Sequence, residues 1–439
     1  MKKVICRSCC HLLSVVTAIC YLLSAISPSY ATDVYIGINA QKQDEGIGLG
    51  LPDFLPLRTN QKADIELARL IHEVVRFDLY DSRYFRIEEE GPALTQSDPK
   101  AHFQDWISHE ADTLIWARVS DLNPRVTLEA KLYDLKSGDI LLERNYRNEN
   151  FNWRKLAHQL SDDLVKQFTG EKGIAQTRIA FSNNRTGSKE IYVIDYDGMN
   201  FMQMTHHRSI SILPRWSPDG KHIVYTGYHH GNPDLYDLDM EKMKISPLSY
   251  SQGLNLPGGF SPDGTELVMT LSKGANPNLY LLNIMSRQTQ QLTFHFGIDS
   301  SPSYSANARQ IVFVSDRSGN PQIYVMEKEG GYVRRLTNLN WCDSPAWSPK
   351  GDWIVFAARE NPKKAFDIYR IDPSGRNLER LTQNEGSNEN PSWSPDGRFL
   401  AFTTTRRGRR EIFLMGADGS FPHPLAEIPG QSFTPSWSP

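Results

Sequence analysis

The chain is short of cysteine, of net charge and of every short motif that marks an enzyme. Four of its five cysteines (Cys6, Cys9, Cys10 and Cys20) fall near the start. Cys342 is left alone, so the body of the chain can form no intramolecular disulfide and no Cys-x-x-Cys site. It reads as a half-buried loop residue rather than a reactive thiol. A net charge of −3 argues against a nucleic-acid surface or an anionic-membrane surface. No Gly-x-Ser-x-Gly elbow is present. His72-Glu73-Val74-Val75-Arg76 begins like a zinc-protease helix but carries Arg where the second His is required. Gly46-Ile47-Gly48-Leu49-Gly50 is followed by Pro52 and Pro56, not by the helix that a dinucleotide loop needs.

Apolar runs are scarce as well. The one near the start, Leu12–Ile26, is broken by Ser14, Thr17 and Ser24. It follows Lys2, Lys3 and Arg7 and precedes a small-x-small site, Ser29-Tyr30-Ala31, which is the pattern of a cleavable secretory signal over residues 1–31. The competing readings are a membrane anchor, for which the run is short, and a lipoprotein through Cys20, for which Ile19 is a poor preceding residue. No direct membrane span is expected.

What the chain does have is a repeat. Trp-Ser-Pro-Asp-Gly stands at 216–220 and 393–397, with variants at 260–264 (FSPDG), 304–308 (YSANA) and 347–351 (WSPKG), and Trp437-Ser438-Pro439 at the end. The aromatics are spaced 44, 44, 43, 46 and 44 residues apart. Three other landmarks keep the same beat: an apolar triplet such as Ile223-Val224-Tyr225, a pair such as Leu235-Tyr236, and a Leu-Thr-like pair such as Leu248-Ser249. The runs are short, β-branched or aromatic, and fenced by Gly, Pro, Asp or Asn, so they are strands A to D of one repeating antiparallel unit. Six such units predict a six-bladed β-propeller over 178–439. The triplets are apolar at consecutive positions, which requires burial on both faces. The first unit begins at strand B (Ile179) and the last leaves a spare strand A, Phe433–Pro439. Their pairing would latch the ring and remove two open sheet edges.

Residues 32–172 lack the beat and read as a small α/β domain with a mixed sheet. Its expected elements are a strand at Val34–Ile38, a helix at Asp64–Asp81 with Leu67, Ile71, Val74 and Val75 on one face, and a strand at Phe85–Glu88. A short helix at Ala101–His109 and strands at Thr113–Val119, Arg125–Leu135 and Asp139–Tyr146 follow. A closing helix spans Trp153–Phe168, capped by Asn152 and stopped by Gly170, and Glu171–Thr177 links it to the propeller.

Chemistry has two candidate locations, both at one end of the ring. His206 and His207 lie in the first D–A loop and His229 and His230 in a B–C loop, and these loops open on the same face. The four imidazoles are either a polar rim or a metal site of the sort some propeller lyases use; no metal or cofactor is assigned. The Ser-Pro-Asp-Gly turns on the other face are uniform, whereas the D–A loops vary and mix polar residues with Leu256, Phe296 and Trp341. Varied loops on a rigid scaffold suit recognition, and apolar anchors among polar groups suit a protein interface.

A signal peptide, an α/β domain, six Trp-Ser-Pro-Asp-Gly units ending on a bare Trp-Ser-Pro, the strand Val34-Tyr35-Ile36-Gly37-Ile38 and the junction Thr177-Arg178-Ile179-Ala180 together resemble the TolB family of the Tol-Pal system. The resemblance spans the chain beyond the signal. It implies a periplasmic, non-enzymatic adaptor that serves outer-membrane integrity, envelope constriction at division and protein import. It implies two partners, the peptidoglycan-associated lipoprotein Pal at the D–A face and TolA at the N-terminal segment, with outer-membrane proteins as further contacts. By position, the Pal-facing residues would be His206, His207, Asn255, Leu256, Pro257, Phe296, Asp299, Ser300, Trp341, Asp343, Asn388 and Asn390. Thr32, Asp33, Val34, Tyr35, Ile36, Gly37, Ile38 and Asn39 would be the TolA segment. Two places depart from the family pattern: Pro257-Gly258-Gly259-Phe260 reads one residue longer than the usual Pro-x-Trp, and Ser305-Ala306-Asn307-Ala308 lacks both Pro and Gly. The readings that compete with an adaptor are a metal-dependent propeller enzyme acting on saccharides through the histidines, and a generic periplasmic scaffold.

Overall fold

The computed structural model describes residues 46–94, 99–273, 276–383 and 385–439. The signal peptide and the strand expected at Val34–Ile38 lie outside the described residues. The α/β layer holds a mixed sheet of β1 (Ile47–Gly50), β2 (Leu55–Pro56), β3 (Phe85–Glu88), β4 (Thr113–Leu122), β5 (Arg125–Asp134) and β6 (Ile140–Asn148), in the order β3-β1-β4-β5-β6 with β2 beside β4. Strand β1 runs parallel to β3 and β4, while β4, β5 and β6 form an antiparallel meander. The glycine-rich stretch is therefore a strand, for a steric reason. A Cβ on Gly50 would sit 2.8 Å from Leu114 and Trp106, and one on Gly48 only 2.5 Å from the Glu110 carbonyl.

Alternation along β4 sorts its residues between two cores. Ile115, Ala117 and Val119 pack with Leu67, Ile71 and Val75 of helix α1 (Lys62–Ser82) and Leu156, Leu160 and Leu164 of helix α3 (Trp153–Thr169). Leu114 and Trp116 face the other way, onto Phe103 and Trp106 of the short helix α2 (Phe103–Ser108). Asn152 caps α3 by accepting the Lys155 N–H (3.2 Å), and Gly170 ends it at φ 74°.

The C-terminal region is a six-bladed propeller of four-stranded sheets. Blade two shows the plan: strand A (Ser211–Trp216), B (His222–Gly227), C (Asp234–Asp239) and D (Lys244–Ser249). The B triplets, among them Ile179-Ala180-Phe181 and Ile311-Val312-Phe313, are fully buried. They supply successive inter-blade cores, as their two-sided apolar pattern requires. Blade one borrows its strand A from the far end of the chain: Ser432–Trp437 pairs antiparallel with Arg178–Asn183. Trp437 is buried at this seam, with its indole N–H on the Thr177 hydroxyl at 2.8 Å.

Each strand A carries a bulge. In five blades the residue there has positive φ: Leu213, Ser301, Ser344, Asn390 and Thr434. Blade three has Pro257 instead, whose ring forbids positive φ. Its strand A is nevertheless Asn255–Phe260, the same six residues long as in blade two. The expectation of an extra residue is thus corrected: Gly258 simply stands where the other blades have Pro. Cys342 also departs from expectation. It is a fully buried strand residue, its thiol pushed up to about 11 by burial.

The α/β layer docks on the end of the ring that carries the A–B and C–D turns, over blades one and six. Arg398 of blade six lies 3.6 Å over the Tyr84 ring and donates to the Ser82 carbonyl (2.7 Å). Arg83 donates to Ser420 (2.9 Å). On blade one, Tyr196 donates to buried Asp78 (2.6 Å), which also holds His158 Nδ1 (2.8 Å), and Arg154 pairs with Asp197. Burial pushes the His158 pKa down, but Asp78 and Asp197 outweigh it and the net direction is up. The junction at 171–177 is pinned as well, because Asp162 accepts the Ala175 N–H at 2.8 Å. The D–A end is left clear of the α/β layer.

Two outcomes are expected. Trp437→Ala removes a buried indole from the seam, a loss of about 3 kcal/mol, and calorimetry should find the melting midpoint lower by roughly 5 °C; an unchanged midpoint would refute the latch. Ala308 takes the position of the turn glycines and sits at φ 59°, so Ala308→Gly should stabilise the chain by about 1 kcal/mol in urea unfolding. A destabilised variant would show that the turn carries no strain.

Candidate partner-binding face

The D–A loops are held from beneath by a polar device built on the Leu-Thr pairs. The hydroxyls of Thr205, Thr293, Thr337 and Thr382 accept the N–H of Ile191, Leu279, Ile323 and Ile368 at 2.9, 3.0, 2.9 and 2.9 Å. Each hydroxyl donates to the first side chain of strand C in its blade: Glu190, Asn278, Gln322 and Asp367. Three of those side chains then catch a loop amide, Glu190 from Arg208 (2.7 Å), Asn278 from His295 (3.3 Å) and Gln322 from Leu339 (3.0 Å). Buried polar groups fully paired in this way fix a loop at its base.

In blades three, four and six the first buried residue of strand A is tied down as well, and these are three of the positions proposed from sequence. Asn255 has no exposed surface; its amide donates to Pro233, Ser251 and Gly253 carbonyls and its oxygen accepts from Ser249 and Ser251. Asp299 is equally buried and grips the Arg317 guanidinium through both oxygens at 3.0 Å. Asn388 accepts the Thr404 hydroxyl and donates to Asp367. With Pro257, also buried, these side chains shape the face without presenting themselves on it.

Leu256, Ser300, Asp343 and Asn390 are half-buried. Burial, with Glu389 adding to it, raises the Asp343 pKa despite bonds from Ser344. Outward are His206, Phe296, which is 81% exposed, and Trp341, which is 38% exposed. Four more apolar residues on these loops were missed by the sequence reading: Ile210, Tyr250, Phe294 and Ile298 are 45%, 76%, 81% and 49% exposed. Their signal was present, since no periodicity accounts for a large apolar residue outside the strands. Trp341 is braced by the Arg359 guanidinium 5.1 Å over its ring.

Three of the four histidines come together. The His207 and His229 rings stack at 3.9 Å and 8°, and His230 lies 4.4 Å from His229. Tyr225 bonds His207 Nε2 at 3.1 Å and Tyr236 flanks His229 at 4.3 Å. Burial, then the neighbouring imidazoles, pushes His229 down to about 4, and burial also lowers His207. Stacked parallel rings aim their nitrogens side by side instead of at one point, and no group of three or more His, Cys, Asp or Glu suited to a metal occurs among the described residues. The cluster reads as an aromatic step in the rim.

A depressed imidazole pKa contributes stability that is present above the unfolded value near 6.5 and is lost as pH falls toward the folded value. The His229 Hε1 resonance should therefore titrate with a midpoint near 4, and wild type should lose thermal stability relative to His229→Phe between pH 7 and pH 4. A midpoint near 6.5 would show the stack to be open to solvent.

The descriptions "TolB beta propeller domain" and "TolB amino-terminal domain" match residues 165–439 and 43–141. Among curated proteins, the "Tol-Pal system protein TolB" of Geobacter sulfurreducens is 36% identical over 48% of this chain and 50% of its own length. That of Syntrophotalea carbinolica is 39% identical over 37% and 36%. The matched stretch thus spans half or less of these two relatives. A solved structure, "Crystal structure of TolB from Acinetobacter baumannii", superposes with a TM-score of 0.76 at 24% identity, over 90% of this chain and 97% of that one, and shares the fold. No helix among the described residues is long and apolar enough to cross a membrane.

Proposed function

The chain belongs to the TolB family, and from that premise we propose that it is a periplasmic adaptor of the Tol-Pal system, with no catalytic activity, holding Pal on the D–A face and TolA on residues 32–39. The observation that carries this reading is the set of outward aromatic and aliphatic side chains on the D–A loops entering blades three, four and five, at the end of the ring that the α/β layer leaves clear. Tyr250, Phe294, Phe296, Ile298 and Trp341 gain little by facing water, since burying such a side chain is worth about 2 kcal/mol. A few large anchors ringed by polar groups supply most of the energy of a protein interface. The loops that bear them are rigid at the base, which lowers the entropy lost on binding. Residues 32–39 place Val34, Ile36 and Ile38 at alternate positions, suited to pairing with a sheet edge of the second partner. Through these two contacts the chain would link the outer envelope to the inner-membrane machinery and support constriction at division.

The test is a pull-down from envelope extract with wild type and Phe296→Asp/Trp341→Asp, the variant's fold being checked by circular dichroism. Wild type should retain Pal and TolA, while the double variant should lose Pal by about a hundredfold and keep TolA. Deleting residues 32–39 should do the reverse. Loss of both partners on that deletion, or equal Pal retention by the double variant, would overturn the assignment.

A further inference from the structure

The axial channel of the propeller holds an arginine with no acidic side chain beside it among the described residues. It encloses about 460 Å³ and is lined by the inner strands of blades one to six. The residue before each strand A aromatic stands at one level of this channel. The ladders show it: Arg215 pairs with Val224, Ser303 with Val312, Ala346 with Val355, Ser392 with Ala401 and Ser436 with Ala180, each the middle member of a strand B triplet. Around the ring this level reads Arg215, Gly259, Ser303, Ala346, Ser392 and Ser436.

The chemistry of that level is one-sided. The oxygens of Ser303, Ser392 and Ser436 each accept a backbone N–H from the next blade, from Trp347 (3.3 Å), Trp437 (3.0 Å) and Trp216 (3.4 Å). Their hydroxyl protons are thereby free to donate, and none has a protein acceptor among the described residues. Arg215 makes the equivalent reach to the next blade with its Nε, to the Gly258 carbonyl at 3.0 Å, and places Nη1 on its neighbour's carbonyl, Pro214, at 2.8 Å. Three of its five N–H donors have no protein acceptor among the described residues. Among the described residues no side-chain carboxylate lines the channel with it, and the backbone carboxylate of Pro439 stands three residues past Ser436, toward the A–B turns. Asp343 stands three residues before Ala346, about 10 Å along the strand, and Glu389 likewise precedes Ser392, where Arg410 neutralises it at 3.2 Å. The Arg215 pKa is lowered to about 10 by burial alone, with no acid close enough to raise it. A half-buried cation without a counter-charge gains by pairing with an anion, and guanidinium with hydroxyl donors is the set that wraps an oxyanion.

We propose that the channel is a binding site for a small oxyanion, a phosphate or a carboxylate group, held by Arg215 and the hydroxyls of Ser303, Ser392 and Ser436. The site lies below the D–A face and is independent of the partner assignment above.

The experiment is calorimetric titration of the full chain, freed of its signal segment, with sodium phosphate and separately with sodium acetate, at ionic strength matched by chloride. Saturable binding of either anion is expected; phosphate alone identifies a phosphoryl ligand, and acetate binding as well identifies a carboxylate one. Arg215→Gln should weaken binding about tenfold or more and cancel the anion's rise in melting midpoint. Ser303→Ala/Ser392→Ala, which keeps the arginine, should weaken binding severalfold with an unchanged circular dichroism spectrum, so the site stays testable if Arg215→Gln fails to fold. No saturable binding of either anion, or equal binding by the serine variant, would overturn the site.

Discussion

Everything in the propeller depends on strand B being apolar on both faces. A four-stranded sheet whose central strand reads Ile-Val-Phe cannot satisfy both faces by itself, so each blade needs a neighbour on either side. Six blades therefore need a closed ring, and a ring made from one chain needs a seam. The seam is set by where the repeat begins. Starting at strand B leaves blade one without an inner strand, and Ser432–Trp437 fills the gap. Burial of the Trp437 indole against Thr177 then couples closure to the residue that leads into the first blade.

The same architecture divides labour between the two ends of the ring. At one end the Ser-Pro-Asp-Gly turns are short and alike, and blades one and six use their surface to receive the α/β layer. At the other end four of the six loops are tied down by a threonine hydroxyl and a strand C side chain, such as the Thr337–Gln322 pair, so that their tips can vary freely. Arg317 gripping Asp299 and Thr404 gripping Asn388 extend the device to the B–C loops. Rigid bases with variable tips suit a surface whose task is recognition.

Much of this was legible from residues alone, and the gaps have physical causes. The repeat exposed the blades, the seam and the separation of the two ends, because a fixed period combined with two-sided apolarity leaves few architectures open. The glycine-rich run at 46–50 was not read as a strand, since glycine carries no β signal and its presence there reflects close packing against Trp106, Leu114 and the Glu110 carbonyl. Pro257 misled by position: counting from proline suggested an insertion, whereas counting from the bulge shows none. Asn255, Asp299 and Asn388 looked like surface residues because polar side chains in loops usually are. Their burial follows from hydrogen bonds across strands that are distant in sequence, which no local pattern announces. Cys342 occupies the same column as these three, and its burial was hidden for the same reason.

A ring of six near-equivalent blades has no natural first position; turned by one blade it would look much the same. The α/β layer abolishes that equivalence. Anchored by Tyr196 to Asp78 on one side of the seam and by Arg398 to Tyr84 on the other, it gives the ring a compass bearing. Each loop on the far end then has a fixed azimuth with respect to the α/β layer. A partner seated over blades three to five would meet the α/β layer from one direction, as on a bracket with a set angle instead of a freely turning hub.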